Sequence, residues 1–125
     1  MKILTKKQIL LLHDALSIES GGSSELRDEG LLDSAISAPF QSFGGVDLYP
    51  DMILKAARLG FGLIKNHPFV DGNKRIGAHS MLAFLEVNNI SLEYEDDELI
   101  EIILSVASGK SSDEDLVVWL KDHII

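Results

Sequence analysis

Apolar side chains recur every three or four residues along most of the chain, and strict alternation of apolar and polar residues is nearly absent. This spacing gathers apolar side chains on one face of an α-helix and therefore predicts an all-α fold. Residues 77–87 are apolar around most of the helix circumference, which is typical of a helix buried at the centre of a bundle. The pattern constrains the chain to a compact helical fold built around a buried central helix.

Caps and helix breakers predict about six helices. We expect them around residues 5–17, 31–38, 51–65, 73–88, 99–106 and 112–120. A flexible loop is expected at residues 19–24, which are rich in glycine and serine. The aromatic-rich segment at residues 39–50, PFQSFGGVDLYP, is the one place where we predict a small β-hairpin, because Gly44-Gly45 favours a turn. No repeat or linker divides the chain, so we predict a single domain over residues 1–125.

The charge balance and the composition exclude several kinds of function. Twenty acidic and 11 basic residues give a net charge of −9 on 125 residues, which disfavours a nucleic acid as direct partner. The absence of cysteine excludes disulfides, thiolate nucleophiles and cysteine-based zinc sites. No stretch reaches the roughly 18 apolar residues of a membrane span. We therefore expect a cytoplasmic protein that binds neither a membrane nor nucleic acid directly.

The residues best suited to chemistry lie in one short segment, HPFVDGNKRIG at residues 67–77. Lys74 and Arg75 fall in the first turn of the predicted central helix, where unpaired N–H groups and the helix dipole already give positive potential. Gly72 and Asn73 allow the backbone to curl and to point successive N–H groups at one place. Positive groups converge in this way where a phosphate or carboxylate binds, so residues 72–75 are a predicted anion site.

Two further residues of the segment fit phosphate chemistry. Asp71 supplies a lone carboxylate beside the anion site, which suits Mg²⁺ because this ion keeps most of its waters and takes few protein oxygens. His67 is the candidate general base, since histidine exchanges protons near neutral pH. The alternative for each residue taken alone is ordinary turn chemistry. A turn does not, however, explain two cations at the start of a buried helix.

The sequence HPFVDGNKRIG resembles the signature loop of the Fic/Doc family, specifically its Doc (death-on-curing) branch. Fic enzymes proper have glycine at the place of Lys74 and a second arginine at the place of Ala78. The segments LRDEGLLDSA (26–35), FGG (43–45) and DLYP (47–50) are also similar to family segments. The resemblance thus covers nearly the whole chain.

The resemblance implies an enzyme that uses ATP and Mg²⁺. It implies that His67 is the general base for a hydroxyl of a target protein, that Asp71 holds magnesium and that residues 72–75 bind phosphates. Fic enzymes usually transfer AMP, whereas Doc-like members bind the nucleotide in the reversed sense and transfer the γ-phosphoryl group. A Doc-like kinase is the favoured hypothesis; an AMP transferase and a non-catalytic antitoxin-binding protein remain alternatives. Ala78 counts against AMP transfer, because one phosphate-binding arginine is absent.

The same resemblance implies two protein partners. One is an antitoxin whose C-terminal segment docks on the toxin, and the other is a target such as elongation factor Tu, modified on a threonine. Self-inhibiting relatives carry Ser/Thr-x-x-x-Glu-Gly/Asn on a helix. Here Glu29-Gly30 is preceded at the required place by Glu25, so we expect inhibition from another chain.

The hairpin segment resembles the family's flap, which holds target backbone by strand-like pairing. The flap residues would be Phe43, Gly44, Gly45 and Val46. The alternative is a connecting loop whose Phe40 and Phe43 cover the core.

Two histidines outside the signature loop receive no functional role from the sequence. His13-Asp14 is similar to the metal dyad of HD-type phosphohydrolases, but that pattern needs an earlier histidine and His13 is the first in the chain. His79 falls near Arg75 on the helical wheel, a position from which it could face the nucleotide; the favoured interpretation is an ordinary helix residue.

Overall fold

Six α-helices form the framework of the computed structural model, which describes residues 1–125. The helices are α1 (Lys6–Ser20), α2 (Glu29–Ser37), α3 (Met52–Asn66), α4 (Asn73–Val87), α5 (Asp96–Ala107) and α6 (Asp113–His123). A 3₁₀ turn (Ala38–Phe40) and a two-stranded antiparallel hairpin, β1 (Ser42–Phe43) and β2 (Val46–Asp47), connect α2 to α3. The predicted all-α fold with six helices and a small hairpin is confirmed. None of the helices combines the length and the apolar character needed to cross a lipid bilayer.

Side-chain caps explain most of the helix starts. Thr5 begins α1 with a capping box in which its side chain and that of Gln8 bond to each other's backbone N–H. The helix continues to Ser20, three residues beyond the predicted end near Ser17. It stops at Gly21, the first residue that adopts the left-handed conformation of a C-terminal cap without strain, at φ 74°. The predicted loop therefore begins later than the sequence pattern indicated.

The centre of the bundle is the pair α3 and α4. A Cβ on Gly77 would lie 2.6 Å from Ile64 Cγ1 and 3.0 Å from the carbonyl of Gly60, so glycine lets the two helices approach closely. One hydrophobic cluster joins side chains from all six helices. Helix α4 is buried on the face that carries Ile76 and Phe84, and its other face, near its first turn, is open to solvent. The first turn of α4 therefore lies at the surface, and the buried face of the same helix is packed tightly against α3.

The ends of α5 and α6 are joined by His123. Its Nε2 donates to Glu98 Oε2 at 3.0 Å, and its Nδ1 donates to the carbonyl of Trp119 at 2.6 Å. Both partners only accept, so making both bonds requires the charged imidazolium. The Glu98 carboxylate, and then the Trp119 carbonyl, raise the pKa of His123 above its ordinary value of 6.5. The hydrogen bond from His123 in turn lowers the pKa of Glu98 below 4.5.

These shifts predict a pH-dependent contribution to stability. Because the pKa of His123 is raised in the folded state, its charged form stabilises the fold fully below pH 6.5, and this contribution is lost as the pH rises through the folded-state pKa. Because the pKa of Glu98 is lowered in the folded state, its carboxylate stabilises the fold above pH 4.5, and this contribution is lost as the pH falls through the folded-state pKa. His123→Gln should therefore lower the melting temperature more at about pH 5.5 than at about pH 8.5, where the charged pair no longer contributes and the loss is limited to contacts of the neutral ring such as its stack on Trp119. Thermal unfolding followed by circular dichroism at both pH values measures this. An equal decrease in melting temperature at the two pH values would show that the ion pair between His123 and Glu98 is not the cause.

Candidate active site

The loop between α3 and α4 contains the signature residues and has a constrained backbone. His67 ends α3 in the left-handed conformation at φ 51°, which few residues other than glycine adopt. Gly72 precedes α4 at φ 78°. Between them Pro68 and Phe69 are buried, whereas His67 is exposed. The loop thus presents the imidazole to solvent from a backbone anchored in the core.

The side chain of Asn73 fixes the shape of this loop. Its Oδ1 accepts from the N–H of Phe69 at 3.0 Å, and its Nδ2 donates to the carbonyl of Phe69 at 3.0 Å. The side chain is buried, and both of its polar atoms are used in these bonds. Asn73 therefore shapes the predicted anion site through its side chain, and its backbone N–H has no partner in the protein.

Replacing Asn73 with alanine should destabilise the protein. The change removes two hydrogen bonds and leaves the N–H and carbonyl of buried Phe69 without partners, which costs about 2–3 kcal/mol in free energy of unfolding. Urea unfolding measures the change, and Gln41→Ala, at an exposed carboxamide side chain on extended backbone, provides a control for loss of such a side chain. A change within about 0.5 kcal/mol would contradict this role.

A strand-like segment before α2 also holds the loop. The N–H of Val70 donates to the carbonyl of Glu25 at 3.0 Å, and the N–H of Arg27 donates to the carbonyl of Pro68 at 2.8 Å. The Arg27 side chain donates through Nε to the carbonyl of His67 at 2.7 Å. Its Nη2 donates to the carbonyl of Asn66 at 3.0 Å, so one guanidinium satisfies two carbonyls at the end of α3. No sequence signal assigned this role to Arg27.

The first turn of α4 has the features predicted for an anion site. Its first paired backbone N–H belongs to Ile76, which donates to the carbonyl of Gly72 at 2.9 Å. The N–H groups of residues 72–75 have no partner in the protein. Lys74 and Arg75 are exposed, and neither forms an ion pair with a carboxylate. Four N–H groups and two cations therefore come together in a chain of net charge −9.

Asp71 lies next to this turn with a free carboxylate. Its carbonyl accepts from Nε2 of His13 at 2.8 Å, but its side chain makes no hydrogen bond or ion pair. A cavity of about 330 Å³ opens here and is lined by residues of α1, the following turn, the signature loop and α4, including Ser17, Gly22, Asp71 and Arg75. No group of three or more ligating side chains surrounds a common point. This donor set fits Mg²⁺ shared with phosphate oxygens, because that ion needs only one or two protein oxygens.

A second cavity of about 290 Å³ lies on the other side of Arg75, between α4 and α5. It is lined by Lys74, Arg75, Ala78, His79, Leu99, Ile100, Ile103 and Leu104. Partial burial, and then the charge of Arg75, lower the pKa of His79 below 6.5. Ala78 is buried beside the apolar side chains of α5. At this position the groove therefore carries no cation.

The hairpin stands out from the surface beside α3. Phe43 pairs with Val46, and Gly44 and Gly45 form the turn with φ values of 59° and 80°. Positive φ at both turn residues is what a tight two-residue hairpin requires. Phe43 is 82% exposed and Val46 is 68% exposed, so the idea that Phe43 covers the core is wrong. Phe40 does contact the core, edge to face with Phe84 at 6.4 Å between ring centres.

A buried lysine anchors the base of the hairpin. Lys55 on α3 is almost inaccessible to solvent. Its Nζ donates to the carbonyls of Tyr49 and Pro39, on the two sides of the hairpin. Asp47 Oδ2 lies 3.8 Å from the same nitrogen. The flap therefore projects two apolar side chains from a fixed base, and no sequence signal had marked Lys55.

Comparison with known proteins agrees with this arrangement. The sequence profile of the Fic/DOC family matches residues 3–85, which include the signature loop and the hairpin. The chain is 39% identical over 94 residues to Toxin Doc of Mycolicibacterium smegmatis, covering 74% of this chain and 72% of that protein. It is 27% identical over 112 residues to Protein kinase doc of Escherichia phage P1, covering 90% of this chain and 87% of that protein. The chain therefore belongs to the Fic/DOC family, and its relatives place it in the Doc branch.

Proposed function

We propose that this protein is a Doc-type toxin that transfers the γ-phosphoryl group of ATP to a hydroxyl side chain of a target protein. The observation that carries the proposal is the first turn of α4, where unpaired N–H groups meet Lys74 and Arg75 beside the free carboxylate of Asp71. Such a combination of N–H groups, cations and a carboxylate suits the binding of a phosphate chain together with a metal ion. The target class that we propose is a translation factor such as elongation factor Tu.

His67 acts as the base in the proposed reaction. The target hydroxyl oxygen forms a bond to the γ-phosphorus while the bond from that phosphorus to the β,γ-bridging oxygen breaks. The hydroxyl proton passes to the imidazole of His67, and ADP leaves. His67 suits this role because its ring is exposed and its side chain has only one long contact, 3.4 Å from Nδ1 to the carbonyl of Lys65.

The phosphates are bound by the start of α4. The N–H groups of residues 72–75, with the side chains of Lys74 and Arg75, would face the oxygens of the transferred group and of the leaving diphosphate. Asp71 would hold Mg²⁺, which when bound neutralises phosphate charge. The protein's part in catalysis is positioning and electrostatic stabilisation.

Two features favour γ-phosphoryl transfer over the alternative of AMP transfer. Lys74 adds charge and volume where AMP-transferring members have only backbone. Ala78, at the place of their second arginine, is buried beside Leu99 and Ile103, so a phosphate-binding cation is absent there. One relative bears the name Protein kinase doc. Together these features support a kinase.

An antitoxin is the proposed regulator. One relative bears the name Toxin Doc, and the motif of self-inhibiting family members is incomplete in this chain. Glu29, the glutamate of that incomplete motif, forms an ion pair with Lys6 at 2.6 Å, and the carbonyl of Glu25 is bonded to the signature loop. Inhibition by a second chain is consistent with both contacts. The protein is accordingly expected to arrest growth when produced without its antitoxin.

Two isotopic labels on ATP test the proposal. Purified protein is incubated with elongation factor Tu, Mg²⁺ and ATP labelled at either the γ- or the α-phosphate. Label from the γ-position should appear on the target together with a mass increment of one phosphoryl group. Label from the α-position would establish the AMP transferase instead. Unimpaired growth during production of the protein alone, with neither label on any protein of a cell extract, would favour the non-catalytic alternative.

A further inference from the structure

We propose that His13 is a positioning residue that fixes Asp71 for metal binding, an inference that rests on the metal-binding role of Asp71 in the proposed function. His13 lies on α1, far from the signature loop in sequence, and belongs to no part of the signature sequence. Its side chain is nevertheless in direct contact with the loop at three residues.

The first contact is a hydrogen bond to the loop backbone. Nε2 of His13 lies 2.8 Å from the carbonyl oxygen of Asp71. A carbonyl only accepts, so Nε2 carries the proton in this bond. The bond fixes the peptide that joins Asp71 to Gly72, and it thereby sets the direction in which the Asp71 side chain leaves the loop.

The second contact is a stack between two buried rings. The rings of His13 and Phe69 are parallel to within 11°, with centres 3.6 Å apart. His13 is 1% exposed. A Cβ on Gly72 would lie 3.5 Å from His13 Nε2, so the imidazole also packs against the residue that begins α4. The ring thus fixes the loop on both sides of Asp71.

The turn after α1 lies close to the carboxylate itself. A Cβ on Gly22 would lie 2.7 Å from Asp71 Oδ2, a separation that would force the carboxylate to move. Only glycine at this place leaves the carboxylate where it is. Helix α1 therefore fixes the carbonyl of Asp71 through His13, and Gly22 in the following turn leaves room for the Asp71 carboxylate.

Packing alone does not explain a histidine at this place. Nδ1 of His13 is buried without a hydrogen-bond partner, and burying an unpaired polar atom costs free energy. A phenylalanine would stack on Phe69 without that cost. What histidine adds is an N–H group that donates a hydrogen bond to the carbonyl of Asp71. Loss of a hydrogen bond that orients a metal ligand typically lowers metal affinity about 10- to 100-fold.

Two substitutions separate the hydrogen bond from the stack. His13→Gln keeps a terminal N–H donor and loses the aromatic ring, whereas His13→Phe keeps the ring and loses the donor. Ile9→Val, a small change in the buried face of the same helix, controls for packing of α1. Binding is followed with Mn²⁺ and a non-hydrolysable ATP analogue, through paramagnetic broadening of the Gly72 amide in ¹⁵N-labelled protein. Melting temperatures are measured for every variant.

We expect His13→Phe to need at least about 10-fold more Mn²⁺ than wild type for the same broadening, and His13→Gln and Ile9→Val to stay within about threefold. Gly22→Ala should also weaken Mn²⁺ binding, because it displaces the carboxylate. Wild-type Mn²⁺ binding by folded His13→Phe would overturn the proposal, as would an equal loss in His13→Gln or no broadening in wild type. If wild type binds Mn²⁺ as expected but transfers no phosphate, the proposed function fails and the positioning role of His13 stands.

Discussion

His67→Ala should reduce phosphoryl transfer to the target by about 10³-fold, within the 10²- to 10⁴-fold range that general-base catalysis supplies. The imidazole is exposed and makes no short hydrogen bond, so its loss should leave the fold and the binding of ATP largely unchanged. The same variant should no longer arrest growth when produced without antitoxin. Transfer of γ-label in vitro and growth after induction measure the two effects.

A second histidine provides the control for this experiment. His123 lies at the end of α6, where it bonds to Glu98 and to the backbone of Trp119. His123→Gln should transfer phosphate at the wild-type rate. Undiminished transfer by folded His67→Ala would show that another group accepts the proton and would remove His67 from the mechanism. Loss of ATP binding in that variant would instead point to a role in holding the nucleotide.

The helical framework could be predicted because its signals are local. The apolar period indicated each helix, Thr5 marked the start of α1, and Gly44-Gly45 marked the turn of the hairpin. The predicted anion site was also local, since Lys74 and Arg75 follow directly on the glycine that begins α4. Contacts within a few residues depend mainly on backbone geometry, which residue type and spacing encode.

The hydrogen bonds and packing contacts that hold the signature loop could not be predicted, because they join residues that are far apart in the sequence. Arg27 reaches a carbonyl 40 residues away, and His13 reaches one 58 residues away. Such pairs depend on how the helices dock, which no local spacing encodes. His13 was compared with a metal motif that it does not complete, and no sequence signal marked Lys55. Asn73 was identified as a site residue, but the role of its side chain in bonding to Phe69 was not foreseen.

Lys74 is the residue that distinguishes the two enzymatic hypotheses. Its side chain is exposed at the first turn of α4 and borders the groove that contains Ala78. Lys74→Gly removes both the charge and the volume of the side chain, whereas Lys74→Met removes the charge and keeps most of the volume. If the charge stabilises the transferred phosphate, both variants should lose transfer of γ-label by about 10²-fold. Lys74→Arg should retain more activity than either, because it keeps the charge.

Opening space at position 74 should still not create an AMP transferase. In the alternative of AMP transfer, the α-phosphate would occupy the reactive position and the diphosphate would extend along α4. The residue in that direction is Ala78, which is buried among apolar side chains of α5 and offers no cation to phosphate oxygens. Lys74→Gly should therefore transfer neither label efficiently. Efficient transfer of α-label by this variant would show that Lys74 alone excludes the other orientation of ATP and that a second cation is not needed to hold the diphosphate.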